Sequence, residues 1–156
     1  MSENSSKPTA ADAQLIMQLY DLRRESEMRK ARDYCTQQFS PTSLQEIQKI
    51  FENSGSDQNR WLRQVITYYE MDGSFVNRGV LNRDLLEDSV GEYVNVYVKL
   101  KPYIKQLRES YGWPDFMINI ERLVEESERS RHMMKVTEGW IAERARRAAA
   151  ASRQSA

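Results

Sequence analysis

Apolar residues return at three- and four-residue spacing along most of the chain, and no stretch keeps the two-residue alternation of a strand. The spacing predicts a first helix in "DAQLIMQLYDLRRESEMRKARDYCTQQF", opened by a capping box of Thr9 with Asp12. Leu15, Leu19 and Leu22, then Met28, Ala31 and Cys35, keep helical spacing, but the stripe shifts register near Ser26. That shift predicts either a bend or two halves that face different neighbours. A short helix with Leu44, Ile47, Ile50 and Phe51 on its inner face follows, with Ser40 as cap, Pro41 in its first turn and Phe39 packing on Leu44. Gly55 ends it, Asp57 caps the next helix, and Gly79 closes that one after Asn77.

Leu62, Val65, Ile66, Tyr69, Asp72, Gly73 and Val76 share one face of this helix, so a carboxylate and a glycine stand in the stripe that should be apolar. Asn82 is placed to cap another helix, in which Leu86, Val90, Tyr93, Tyr97, Leu100, Ile104, Leu107 and Tyr111 form a continuous seam. Pro102 falls inside the seam without shifting its phase, which predicts a kink. Pro114 suits the first turn of a last core helix carrying Phe116, Ile120, Leu123 and Val124. Beyond Glu125 the pattern becomes mostly charged and ends in "RARRAAAASRQSA".

These elements predict an all-α, single-domain bundle of about five helices, with Trp61 to Asn77 and Asn82 to Tyr111 as a long antiparallel central pair. The expected organisation is a disordered N-terminus at 1–8, the helical domain at 9–138 and a basic, alanine-rich extension at 139–156.

Composition narrows the function classes. The 156 residues are 40% hydrophobic and 29% charged, a globular balance that needs no staple. Lys and Arg number 23 and Asp and Glu 23, so any attraction to nucleic acid or anionic lipid must be local. Cys35 is the one cysteine, which excludes an internal disulfide or a thiolate metal cluster and leaves a small, half-buried helix residue as its expected role. No apolar run is long enough to insert in a membrane, and "MSENSSKPTAADAQ" lacks the basic start and apolar core of a signal peptide, so the cytoplasm is the expected location.

The candidate chemistry centres on Asp72. A carboxylate on an apolar face serves as a raised-pKa acid or base, or pairs with a tyrosine or arginine across the bundle; pairing is the expectation here. Gly73 is expected to admit a neighbouring helix closely. Tyr69, Glu70, Asp72 and Arg78, with Tyr68, Tyr93, Tyr97 and Tyr103, are the residues from which a ligand pocket or an enzyme site would be built, although the tyrosines already satisfy the packing periodicity. His132 stands alone among charges with Glu128 four residues before it, so the Glu-x-x-His pattern of di-metal bundles fails and no metal is expected. Phosphate loops, dinucleotide fingerprints and nucleophile elbows are absent, and no cofactor is implied.

The segments "LYDLRRESEMRKARDY", "YYEMDGSFVNRGVLNRDLL" and "KLKPYIKQLRESYGWPDF" together resemble a family of uncharacterised bacterial all-helical domains of unknown function. The likeness covers roughly Leu19 to Leu123. It implies a compact all-α fold and supplies no catalytic residue. The expected function is therefore a non-catalytic protein–protein interaction or self-association module, with a homo-oligomer as the leading partner arrangement. Trp140 and Ile141 supply apolar area at the head of the extension. The alternatives are nucleic-acid or anionic-surface contact through Arg144, Arg146, Arg147 and Arg153, and a small-ligand receptor or enzyme around Tyr69, Glu70 and Asp72.

Overall fold

The computed structural model describes residues 7–154, and every regular element among them is helical. The order is α1 (Ala10–Arg24), α2 (Ser26–Asp33) running into a π-helical turn (Tyr34–Gln38), α3 (Leu44–Glu52), α4 (Asp57–Asn77), α5 (Arg83–Ser89), α6 (Glu92–Leu100), a 3₁₀ turn (Lys101–Tyr103), α7 (Ile104–Tyr111), α8 (Ile118–Glu125) and α9 (Glu128–Gln154). The all-α class holds, but about five helices is too few, because local chemistry breaks two of the expected long ones.

The first break is at Glu25. Its backbone is extended, at φ −56° and ψ 144°, and its carboxylate accepts the Met28 N–H at 3.0 Å, so it caps α2. The register shift near Ser26 is thus the start of a second helix. The segment 82–111 is likewise three helices. α5 stops at Val90, which is extended at φ −153° and ψ 141°, and Pro102 lies in the 3₁₀ turn between α6 and α7. A proline cannot supply the next helical N–H, and here the chain passes through a tighter turn between two separate helices. The expected central pair is also corrected. α4 packs mainly against α8 and α2, whereas α6 packs mainly against α9.

Two caps shift by a few residues. Ser43, not Ser40, caps α3, and Ser56, not Asp57, caps α4, each hydroxyl accepting the N–H three residues on. Pro114 precedes α8 in a turn and lies outside its first helical residues. The Thr9 capping box is present, and Asp12 does more than close it. One oxygen accepts the Thr9 N–H at 2.8 Å and the other accepts the Asn82 N–H at 2.7 Å, tying the start of α1 to the start of α5.

The expected α4 stripe is buried in full, from Leu62 through Val65, Ile66, Tyr69, Asp72 and Gly73 to Val76. Around it Ile47, Leu81, Leu86, Tyr93, Tyr97, Leu100, Leu107, Ile120 and Leu123 complete the core. The extension expected from 139 begins inside α9, which is continuous across that point; Ser130, Met134 and Thr137 are buried, and Ile141 packs on the core. Of the expected disordered segment 1–8, residues 1–6 lie outside the described residues, and Lys7 and Pro8 precede the Thr9 cap without helical structure. No helix among the described residues is long and apolar enough to cross a membrane.

Candidate functional site

α4 presents two different polar faces. On the side of α8, Glu70, Gly73 and Asn77 lie at helical spacing and all address Asn119. Glu70 accepts the backbone N–H groups of Asn119 and Ile120, both at 2.9 Å, and the Asn119 side-chain amide at 3.0 Å. Asn77 donates to the Asn119 carbonyl at 3.1 Å. A Cβ built at Gly73 would fall 2.7 Å from that carbonyl oxygen, so only a glycine permits this approach. Met117, the N-cap of α8, sits in the left-handed region at φ 58° and makes no side-chain cap bond. Glu70 therefore supplies, from another helix, the side-chain acceptor that Met117 does not offer to the first N–H groups of α8.

The other face is the candidate site. Asp72 is 1% exposed, and neither of its carboxylate oxygens finds a donor among the described residues. It borders a cavity of about 230 Å³ between α1, α4 and α5, walled mainly by Ile16, Leu19, Leu86 and Val90. Met17 and Tyr20, 60% and 43% exposed, stand at its rim. Arg23 and Tyr68 also line it. The Tyr68 hydroxyl donates to the Leu19 carbonyl at 2.7 Å, while Arg23 Nε is buried without an acceptor. Burial pushes Asp72 up to about 7, and the Arg23 guanidinium pulls against that rise without reversing it. The expected pairing of Asp72 is therefore corrected: the last turn of α1 brings an arginine to the cavity but not into contact with the carboxylate.

The remaining sequence candidates point elsewhere. The Tyr69 hydroxyl donates to Glu92 at 2.8 Å, and Glu92 is held by the Arg32 guanidinium on both oxygens. Arg32 also donates to the Arg23 carbonyl at 3.1 Å, pinning the junction of α1 and α2. Tyr93 meets Ser130 at 2.9 Å, and Tyr97 donates to Glu125 at 2.9 Å. Burial raises the Tyr69, Tyr93 and Tyr97 hydroxyls, Tyr93 to about 12. Arg78 is exposed and reaches only Ser74. Of the ligand candidates, Asp72 and Tyr68 line the cavity, and the sequence reading missed Arg23. The signal was present, since Ile16, Leu19, Tyr20 and Arg23 share a face of α1, as Tyr68 and Asp72 do on α4.

On α9, Trp140 is 64% exposed. Arg146 and Arg147 both pair with Glu143, each at 2.9 Å, and Arg144 reaches the Gln37 carbonyl at 3.4 Å. Cys35 is fully buried, beyond the half-burial expected, and its thiol is pushed up to about 12. The Lys99 ammonium beside it donates to the Cys35 and Thr36 carbonyls at 2.6 and 3.1 Å, with its pKa brought down by burial to about 8. No group of three or more His, Cys, Asp or Glu among the described residues could hold a metal ion.

Residues 8–127 match the model of the family described as Domain of unknown function (DUF4760), and the chain belongs to that family. Comparison with curated proteins and with solved structures gave no match. The family segment contains every residue lining the Asp72 cavity and ends just before α9.

Proposed function

We propose that this chain is a non-catalytic binding domain whose ligand is a small molecule held in the cavity between α1, α4 and α5, with Asp72 as its polar anchor. The observation that carries the reading is the buried carboxylate with neither oxygen bonded to any of the described residues. Such a group costs several kcal/mol unless something satisfies it, and strained or unsatisfied groups concentrate at sites of function. An apolar wall with few polar groups is the usual make-up of a ligand pocket. Binding is favoured over turnover because the Tyr68 hydroxyl is raised by burial, which leaves the Asp72 carboxyl, brought to about 7, without a second acid–base group beside it. A cytoplasmic setting is part of the reading, consistent with a single thiol.

The test is a fragment screen on the full chain by amide NMR. Ligands of the cavity should shift amides of α1, α4 and α5 together and leave those of α9 in place. A diverse library in which no fragment moves those three helices would overturn the reading.

A second reading, association through α9, is favoured by Trp140 and by Met133, which is 38% exposed and seven residues earlier on the same face. Truncation before Gly139 should then lower the mass measured by sedimentation, and an unchanged mass and stability would sink it. Nucleic-acid contact through the extension has weaker support, because two of its arginines share the Glu143 carboxylate.

A further inference from the structure

The cavity reading fixes a location, and resting on it the polar groups specify a class of ligand. Among the lining residues, Tyr68 and Ser89 have their hydroxyl protons committed, to the Leu19 and Leu85 carbonyls, each at 2.7 Å. Apart from the Tyr20 hydroxyl at the exposed rim, the groups left are the Asp72 carboxylate and the Nε of Arg23, both buried without a partner among the described residues. They carry opposite charge, they border the same cavity from α4 and from α1, and they do not bond to each other. Their attraction is nonetheless felt, since Arg23 is the one charge that lowers the Asp72 pKa. α5 contributes Leu86 and Ser89 to the wall, its C-cap contributes Val90, and none of the three titrates.

A purely apolar ligand would leave both groups unsatisfied. A cation alone would meet Asp72 but bring a second positive charge beside Arg23, and an anion alone would do the reverse. A molecule carrying both charges meets both requirements. About 230 Å³ is below the roughly 300–1,000 Å³ of drug-sized pockets, so the molecule is small. Ile16, Leu19, Leu86 and Val90 ask for a compact apolar body.

We propose that the cavity binds a zwitterion of α-amino-acid type with a short apolar side chain, its ammonium on Asp72 and its carboxylate on Arg23. Because a proton competes with the ammonium for Asp72, binding should weaken as the solution is acidified through about pH 7. The charged and titratable groups around that carboxylate are Arg23 and Tyr20 from α1 and Tyr68 from α4, the last with its hydroxyl raised by burial.

The test is calorimetry and amide NMR on the full chain at about pH 8, with L-leucine, isoamylamine and isovalerate as probes. L-leucine should bind about tenfold or more tightly than either singly charged analogue. Asp72→Asn and Arg23→Gln should each remove most of that preference while far-UV circular dichroism stays unchanged. Affinity for L-leucine should fall about tenfold per pH unit below about pH 7. Isoamylamine equal to L-leucine on the wild-type chain would overturn the zwitterion and leave the cavity reading standing, as would fragments that bind while none of the three probes does. Failure of probes and fragments alike would overturn both.

Discussion

Glu70 and Asp72 are two residues apart on α4, yet their carboxylates meet opposite surroundings. Glu70 points at the start of α8, where unpaired N–H groups and the positive end of a helix dipole converge, and it takes three hydrogen bonds there. Asp72 points between α1 and α5, where the backbone donors are already used inside helices, and it takes none. Glu70 is half-buried and well supplied with donors, whereas Asp72 is buried and has none among the described residues. A carboxylate at a helix start stabilises the fold, whereas one facing helix flanks is a cost that a ligand or a proton must offset.

The largest expected effect follows from the proton. The Asp72 pKa is raised from 3.8 to about 7, so the folded chain holds this proton more tightly than the unfolded chain does. The resulting stability is fully present below about pH 4 and is lost as pH rises through about 7. Relative to Asp72→Asn, the wild-type protein should lose about 4 kcal/mol between about pH 4 and pH 8, read by urea denaturation of both proteins across that range. A constant difference between them would mean that the carboxyl stays ionised with a donor of its own, and the contrast with Glu70 would disappear.

Gly73→Leu comes next. With a Cβ already 2.7 Å from the Asn119 carbonyl oxygen, the larger side chain should cost about 3 kcal/mol by forcing α8 away from α4. An unaltered denaturation midpoint would show that the helices part without penalty. Glu70→Ala should cost about 2 kcal/mol, since it strips the acceptor from the Asn119 and Ile120 amides. Hydrogen exchange at those amides should rise with it. Stability that survived the change would place the worth of the α4–α8 contact in packing alone.

The all-α class and the core of α4 were legible because a period near 3.6 residues is local information, and the buried stripe from Leu62 to Val76 follows it residue by residue. The register shift near Ser26 signalled the break at Glu25 without deciding between a bend and a new helix, whereas Val90 was not legible as a helix end, since it is no strong breaker and the apolar phase runs through it. Pairing was harder still. The α4 seam fits either α6 or α8, and what selects α8 is Gly73 against Asn119, a contact between residues that only the fold brings together. The site was half legible: Asp72 stood out against its stripe, but the arginine that shares its cavity lies on α1 and no spacing links the two.

Asp12 carries a consequence of another kind. Its carboxylate joins a bond to Thr9, three residues away, with one to Asn82, seventy residues away. The first closes a single turn and can form while the rest of the chain is still open. The second requires closure of a loop that holds α2, α3 and α4, an entropic cost that is met only after those helices have collapsed together. One side chain thus takes part at both ends of the folding reaction. It helps to nucleate α1 early, and by fastening α1 to α5 late it slows the escape of the first helix from the finished bundle.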